Sequence, residues 1–523
     1  MLSRGESSLA AYLSLAHKTD AISDVPDYVR KVKVAFLSNF TIQGLPEVFK
    51  AQALFHNLLV STYLGPYNQH AQEILNNESG LYKFEPKLVY LIVDETNAEE
   101  TLGLAERLTK ESGLPAGQAG ATVITGGLGL NSKFDFNEFL ESIGREKYWN
   151  TKYKELGDLR LAPTAFPLLA NVLMGYAVAV SGTTKKCLVL DLDNTLWRGI
   201  VGEDGPDKIV PDQTLQERIR GLYEKGIVLA INSKNNPEDA LAVIEQNPEM
   251  RLRKEHFAAW RINWEPKSAN MAALAEELNL GLDTFVFLDD QAFERAQVKQ
   301  ALPEVTVLAP EELAGYQGFF AITITDEDRK RGRTYVEERQ RREVQTVARS
   351  LDDFLRELKL ETTISKAGKD AVSRVSQLTQ RTNQFNLTTR RYSETDVAER
   401  IEKGWPVLTI EAKDRFGEYG IIGAAMIEPA GEAWRVDTFL MSCRILGRGI
   451  EKALLAFIAN EAAAAGAKRL KGEFIPTAKN KPAEEFWPEN GFKEVGQESG
   501  MQVYEYDLKK KMEYPRHVKV IAN

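Results

Sequence analysis

The stretch CLVLDLDNTLWRG, Cys187 to Gly199, restricts the fold more than any other part of the chain. Its opening apolar residues suit a buried strand that runs straight into Asp191, and Asp193 follows two positions later. In open α/β sheets ligands bind at the carboxyl ends of parallel strands, so Asp191 is expected on that edge. The spacing suits chemistry at phosphorus: one carboxylate attacks, the second moves a proton for the leaving group or for water, and Mg²⁺ offsets the charge. Thr195 can hydrogen-bond within the same turn. The competing reading is an acidic turn whose Asp and Asn side chains only bond nearby backbone.

Three later features favour the chemical reading. Ser233 follows the apolar run IVLAIN and precedes Lys234 and Asn235, which places a hydroxyl, an ammonium and an amide at a strand end as phosphate or substrate ligands. Lys267 opens a helix-like segment after Trp264, Glu265 and Pro266, where its charge would neutralise a transferred phosphate. The run FVFLDD, Phe285 to Asp290, again ends a strand in carboxylates, making Asp289 and Asp290 hard-oxygen metal ligands.

The rest of the chain is organised around that unit. A length of 523 residues exceeds one hydrophobic core. Residues 1–29 read as an N-terminal extension and 30–180 as an α/β domain, with strand runs at Val32 to Ser38 and Lys87 to Val93. Residues 181–325 form the second α/β unit, with strand signals at Lys186 to Leu190, Ile227 to Asn232 and Thr284 to Leu288. A charged stretch, 326–360, reads as a solvent-facing helical connector with one packed side, 361–510 as a third domain and 511–523 as a C-terminal tail. A net charge of −9 with interspersed signs argues against nucleic-acid binding. No stretch of 18 or more uninterrupted apolar residues speaks for a membrane, and two cysteines, Cys187 and Cys443, do not make a secreted scaffold, so a cytoplasmic location is expected.

Taken in order, Asp191/Asp193/Thr195, Ser233, Lys267 and Asp289/Asp290 resemble the four motifs of the haloacid dehalogenase-like phosphatases. The resemblance implies a Rossmann-like domain in which Asp191 is the nucleophile and Asp193 the general acid/base. The expected metal set is Asp191, Asp193, Asp289 and Asp290, with Asp191 and Asp289 as the side-chain ligands. The spacing leaves room for a flap but little for an inserted cap. The longer strings DLDNTLWRGIVGEDG, SKNN, FLDD and QRTNQFNLTTRR resemble the FkbH-like proteins of polyketide biosynthesis over most of the chain. That family implies a glyceryltransferase/phosphatase that takes 1,3-bisphosphoglycerate and loads a glyceryl unit onto the phosphopantetheine thiol of an acyl carrier protein. Hydrolysis alone, or loading of another small acyl phosphate, is the alternative. Gln291 and Ala292 stand where the family carries Asn-Pro, while Glu294 and Arg295 retain the following pair.

The flanking domains carry weaker likenesses. The first is similar to the SGNH hydrolase fold, with Ser38 displaced to the head of its block and no histidine between His70 and His256 to serve as base, so it is expected to be noncatalytic. His56 and His70 are then ordinary packed or surface residues. The last resembles the GNAT acetyltransferase fold through CRILGRG, where Arg444, Gly447, Arg448 and Gly449 would receive the phosphates of coenzyme A or, in its place, of a phosphopantetheine arm. Cys443, beside that helix start, is the candidate for an enzyme thioester, and Cys187 is expected in the core. In QLTQRTNQFNLTTRR, Arg381, Arg390 and Arg391 would clamp a phosphorylated substrate, with Asn383, Gln384 and Asn386 adding hydrogen bonds.

Overall fold

In the computed structural model the described residues are 9–93, 103–104, 122–127, 134–149, 157–442, 445–498 and 500–522. They fall into two units, Met1–Val336 and Glu337–Asn523. The fold is mixed α/β, and the first unit holds two parallel sheets.

The first sheet has β1 (Arg30–Ser38), β2 (Leu58–Leu64), β3 (Leu88–Ile92), β4 (Thr122–Gly127) and β5 (Phe134–Asp135), ordered β2-β1-β3-β4-β5. All its pairings are parallel. Because side chains alternate along a strand, Val34 and Phe36 enter one core and Ala35 and Leu37 another. The first core takes in helices Leu9–Thr19, Leu45–Ala53 and Phe166–Ser181. Residues 1–29 are therefore more than an extension: Tyr12 and Ala16 are part of this core. The segment Pro163–Ser181 is long and apolar enough to cross a membrane. Here its Leu169, Leu173 and Ala177 are fully buried, and Tyr90 Oη donates to the Leu173 carbonyl at 2.6 Å.

The second sheet comprises β6 (Cys187–Leu190), β9 (Val228–Ser233), β10 (Phe257–Ile262), β11 (Phe285–Leu288) and β12 (Thr306–Leu308), ordered β10-β9-β6-β11-β12 and wholly parallel. From β6 the chain first builds outward through β9 and β10, then returns to place β11 on the other side. Asp191 and Asp289 thus leave neighbouring strands at the switch point of the sheet. Leu188 and Leu190 face helices Gln213–Glu224 and Pro237–Gln246, whereas Cys187 and Val189 face Lys267–Leu278. Cys187 is fully buried, and burial pushes its thiol far up. Between Asp193 and the helix Gln213–Glu224 stand only the ribbon of β7 (Trp197–Arg198) with β8 (Val210–Pro211) and two short helical turns, so no cap domain is inserted there.

The second unit is built on one eight-stranded sheet, ordered β18-β19-β17-β16-β15-β14-β13-β20. Its strands are β13 (Leu360–Lys366), β14 (Val407–Lys413), β15 (Glu418–Glu428), β16 (Ala433–Met441), β17 (Arg469–Phe474), β18 (Lys493–Glu498), β19 (Met501–Asp507) and β20 (Val518–Ala522). Helix Ile450–Ala464 covers one face; Val372–Arg381 and Glu394–Glu402 cover the other. Two expectations change here. The segment 511–523 is no tail, since β20 pairs in parallel with β13 and buries Val518. The stretch 326–360 is no plain connector either: Phe354, Leu355 and Leu358 enter the second unit's core, and Arg341 is 2% exposed, with a bidentate grip on Asp414 at 2.7 and 3.0 Å. The charged sequence concealed an arginine that a carboxylate holds inside.

Candidate active site

Three strand ends, of β6, β9 and β11, and one helix start converge at Asp191. Its amide donates to the Leu288 carbonyl, which locks the turn after β6 to the end of β11. Lys267, at the start of its helix, is aimed inward, with Nζ 2.9 Å from Asp191 Oδ1 and 2.5 Å from Asp289 Oδ2. An ammonium at a helix N-terminus opposes the backbone dipole, and the two carboxylates compensate for that. Two asparagines hold this helix start in place: Asn232 Nδ2 donates to the Lys267 carbonyl at 2.9 Å, and Asn270 Nδ2 donates to Asn232 Oδ1 at 3.1 Å. Ser233 hydrogen-bonds Asp191 through its side chain. Thr195 Oγ1 accepts from the Asp290 amide at 3.1 Å, tying the first turn to the last.

The electrostatics follow from burial. Asp191, Lys267 and Asp289 are all nearly or fully buried. Desolvation pushes the Asp191 carboxyl up to about 6, against the pull of Lys267; Asp289 adds to the rise, and the Lys267 and Ser233 hydrogen bonds oppose it. Lys267 itself moves upward, because Asp191 and Asp289 outweigh its own desolvation. Asp290 is raised, by burial first and then by Asp289. Three carboxylates around one ammonium leave negative charge uncompensated, and such a set suits a hard divalent cation. Asp191, Asp289 and Asp290 each offer an oxygen within 4.8 Å of the others, so they fit Mg²⁺ by donor chemistry and proximity.

Asp193, expected among the metal ligands, stands outside this group. Its Oδ1 accepts from Trp197 Nε1 at 2.9 Å and from the Val201 amide at 3.2 Å, and its Oδ2 accepts from Asn235 Nδ2 at 2.8 Å. Three donors hold it as an acceptor. The same bond engages Asn235, expected among the substrate ligands. Lys234 is likewise engaged, with Nζ 2.6 Å from Glu294 Oε1. Sequence reasoning passed over Arg295, whose Nη1 donates to the carbonyls of both Asp289 and Asp290, at 2.7 and 2.8 Å. It also passed over Trp197 and Asn232. The retained Glu294-Arg295 pair was the only signal for the arginine.

Several of the residues expected to bind substrate or cofactor in the second unit bond to their own chain. Arg390 Nη1 meets Asp437 Oδ1 at 2.9 Å and Glu473 Oε2 at 2.8 Å. Arg391 donates to the carbonyls of Thr379 and Thr382 and to Asn383 Oδ1, so Asn383 is occupied too. Arg390 and Arg391 are thus engaged by their own chain, Arg391 at the surface. Arg448 donates to Tyr419 Oη and to Glu338. Gly447 and Gly449 have φ of 76° and 79°, with Gly449 capping helix Ile450–Ala464. Cys443 and Arg444 lie outside the described residues, as does the side chain of Arg381. In the first unit Ser38 is buried, and its Oγ accepts from the Phe40 amide at 3.2 Å. His56 is buried and stacks on Tyr316 with centroids 5.1 Å apart, and His70 is buried in a short helix.

No family model matches the chain, and no curated protein matches it. Among solved structures it is similar to the N-terminal part of the Bacteroides fragilis protein BF1531, which contains a phosphatase domain and was solved with Mg: 24% identity, 61% of this chain and 100% of that one, TM-score 0.48. The ribosomal-protein-S18-alanine N-acetyltransferase of Escherichia coli matches 28% of this chain and 94% of its own at 16% identity, TM-score 0.23. Ard1 of Thermoplasma volcanium matches 28% and 97% at 14% identity, TM-score 0.23. The functional reading rests on side-chain geometry and not on these likenesses.

Proposed function

We propose that the first unit carries a Mg²⁺-dependent phosphoryl-transfer site with Asp191 as nucleophile. The observation that carries the reading is the buried Asp191–Lys267–Asp289 arrangement with Asp290 beside it. Bound at these carboxylates, Mg²⁺ would offset charge between enzyme and phosphate. Asp191 attacks phosphorus; Lys267 and the Ser233 hydroxyl hold phosphate oxygens and keep the carboxylate aimed. Asp193, steadied by Trp197 and Asn235, serves the leaving group or the hydrolytic water. Arg295 fixes the turn that presents Asp289 and Asp290.

The resemblance to FkbH-like proteins supports the finer reading, in which 1,3-bisphosphoglycerate is the substrate and a carrier thiol the acyl acceptor. Chemistry then divides the labour. Attack on the phosphorus of the acyl phosphate would release a free carboxylate and forfeit activation, so Asp191 acts on the phosphoester. The thiol attacks the carbonyl, forms the thioester and expels the other phosphate. Hydrolysis without transfer is the alternative, and the engagement of Arg390 and Arg391 by their own chain agrees with it. Incubation with 1,3-bisphosphoglycerate, Mg²⁺ and pantetheinylated carrier, read by intact mass, tests both: a glyceryl adduct supports loading, and phosphate release with unmodified carrier leaves hydrolysis alone.

A further inference from the structure

Whether the second unit can take the phosphopantetheine arm depends on the place where β16 and β17 part. The two strands run parallel and pair only over Ala433 to Val436 against Arg469 to Gly472. Beyond that point β16 continues to Met441 and β17 to Phe474. Strands that diverge inside a sheet leave amides and carbonyls that need partners. An extended chain bearing amide groups, peptide or pantetheine, is the natural occupant of such a slot.

The protein fills the slot with its own backbone. The Leu387 amide donates to the Phe439 carbonyl at 3.1 Å, and the Met441 amide to the Phe385 carbonyl at 2.9 Å. Asn386 lies between these two bonds, bridged to Leu440 in antiparallel sense. On the opposite side, the Ile475 amide donates to the Leu387 carbonyl at 2.8 Å. Thr388 Oγ1 and Arg390 Nη1 donate to the Asp437 carbonyl at 3.0 and 2.8 Å, and Asn480 Nδ2 donates to that of Asn386 at 3.0 Å. Asn386 and Leu387 are fully buried, and Phe385 packs edge-on against Phe486, with centroids 5.2 Å apart.

The helix start expected to receive phosphates carries a buried acidic side chain, one oxygen of which has no hydrogen-bond partner among the described residues. Glu451, in the first turn of helix Ile450–Ala464, is buried; desolvation raises its carboxyl, while the amides of Glu451 and Gly449 hold it down. His517 Nε2 sits 2.9 Å from the Arg448 carbonyl on the same loop.

We infer that residues 385–388 are a built-in strand completing the sheet between β16 and β17, and that the second unit does not receive an acyl-CoA or a pantetheine arm in that slot. The inference is independent of the Asp191 chemistry, because its test needs no turnover. The full chain is titrated calorimetrically with coenzyme A and with phosphopantetheine, and amide hydrogen exchange is followed with and without ligand. No saturable heat is expected up to about 1 mM ligand, a bound on the order of 4 kcal/mol. Leu387, Met441 and Ile475 should exchange as slowly as the centre of β15 in both conditions. Saturable binding that changes exchange at 385–388 or 439–441 overturns the inference, as does fast exchange at Leu387 in the free protein. Binding that leaves those amides unchanged lies elsewhere and agrees with it.

Discussion

A buried carboxylate beside an ammonium and two further carboxylates is costly until something positive joins it, and this gives Asp191 a pH signature. Its carboxyl is raised to about 6 in the folded, metal-free protein, chiefly by burial. The folded state therefore binds more protons than the unfolded chain between the ordinary carboxylate range and about 6, and stability falls as pH rises through that window. Asp191→Asn, which mimics the neutral form, should not share the loss. The gap between the two proteins' melting temperatures should widen toward pH 6 and then level off, and Mg²⁺ should abolish the trend. A gap that stays flat without metal would put the charge elsewhere. In turnover, Asp191→Asn should lower phosphate release by on the order of 10³ or more without unfolding the chain, measured by phosphate release and circular dichroism. What could be read in advance at this scale were single residues at strand ends, because an apolar run closing on Asp191, Ser233 or Asp289 is a local pattern. Asn235 reaches Asp193 across 42 residues and leaves no local trace, whereas Trp197 and Arg295 stand within six residues of their partners but carry no pattern that says which way the turn will fold them.

Among elements, strands were the more legible. The runs VAFL, Val34 to Leu37, and FVFL, Phe285 to Leu288, are apolar throughout because both faces of their sheets are covered, and they stand where β1 and β11 form. Charged and polar stretches misled. The helix Asp326–Val347 reads as solvent-facing, yet it buries Arg341 against Asp414, whose Oδ2 also accepts from Tyr419 Oη at 2.6 Å. Asp414→Ala should remove the bidentate partner of that buried guanidinium, leaving Glu338 at 3.3 Å and Glu337 at 3.7 Å, at a cost to the second unit of up to about 3–5 kcal/mol, measured by denaturant unfolding. Arg341→Met in the same background should recover part of the loss. The segment QFNLT was also misread, as a ligand-binding motif: its polarity suggests exposure, and only the parted strands explain why Asn386 and Thr388 are buried.

At the scale of the molecule, the division at Val336 and Glu337 separates the Asp191 site from the eight-stranded sheet. Calorimetry of the full chain should resolve two transitions, of which Mg²⁺ raises only one; Asp289→Asn should remove that response while leaving the other transition in place. A uniform upward shift of both would contradict the assignment of the metal to Asp191, Asp289 and Asp290.

The pairing of β20 with β13 also has a kinetic consequence. The ion pair between Lys519 and Glu361 closes a span of 158 residues, with the rest of the sheet threaded in between. Contacts of such separation form late, since loop closure is unfavourable before it brings any stabilisation. During synthesis β13 must wait with one edge bare until nearly all of the second unit has emerged, while the two parallel sheets of the first unit are already complete. A nascent chain stalled in that interval presents an unpaired strand, so the second unit is where slow maturation and a need for chaperones would concentrate.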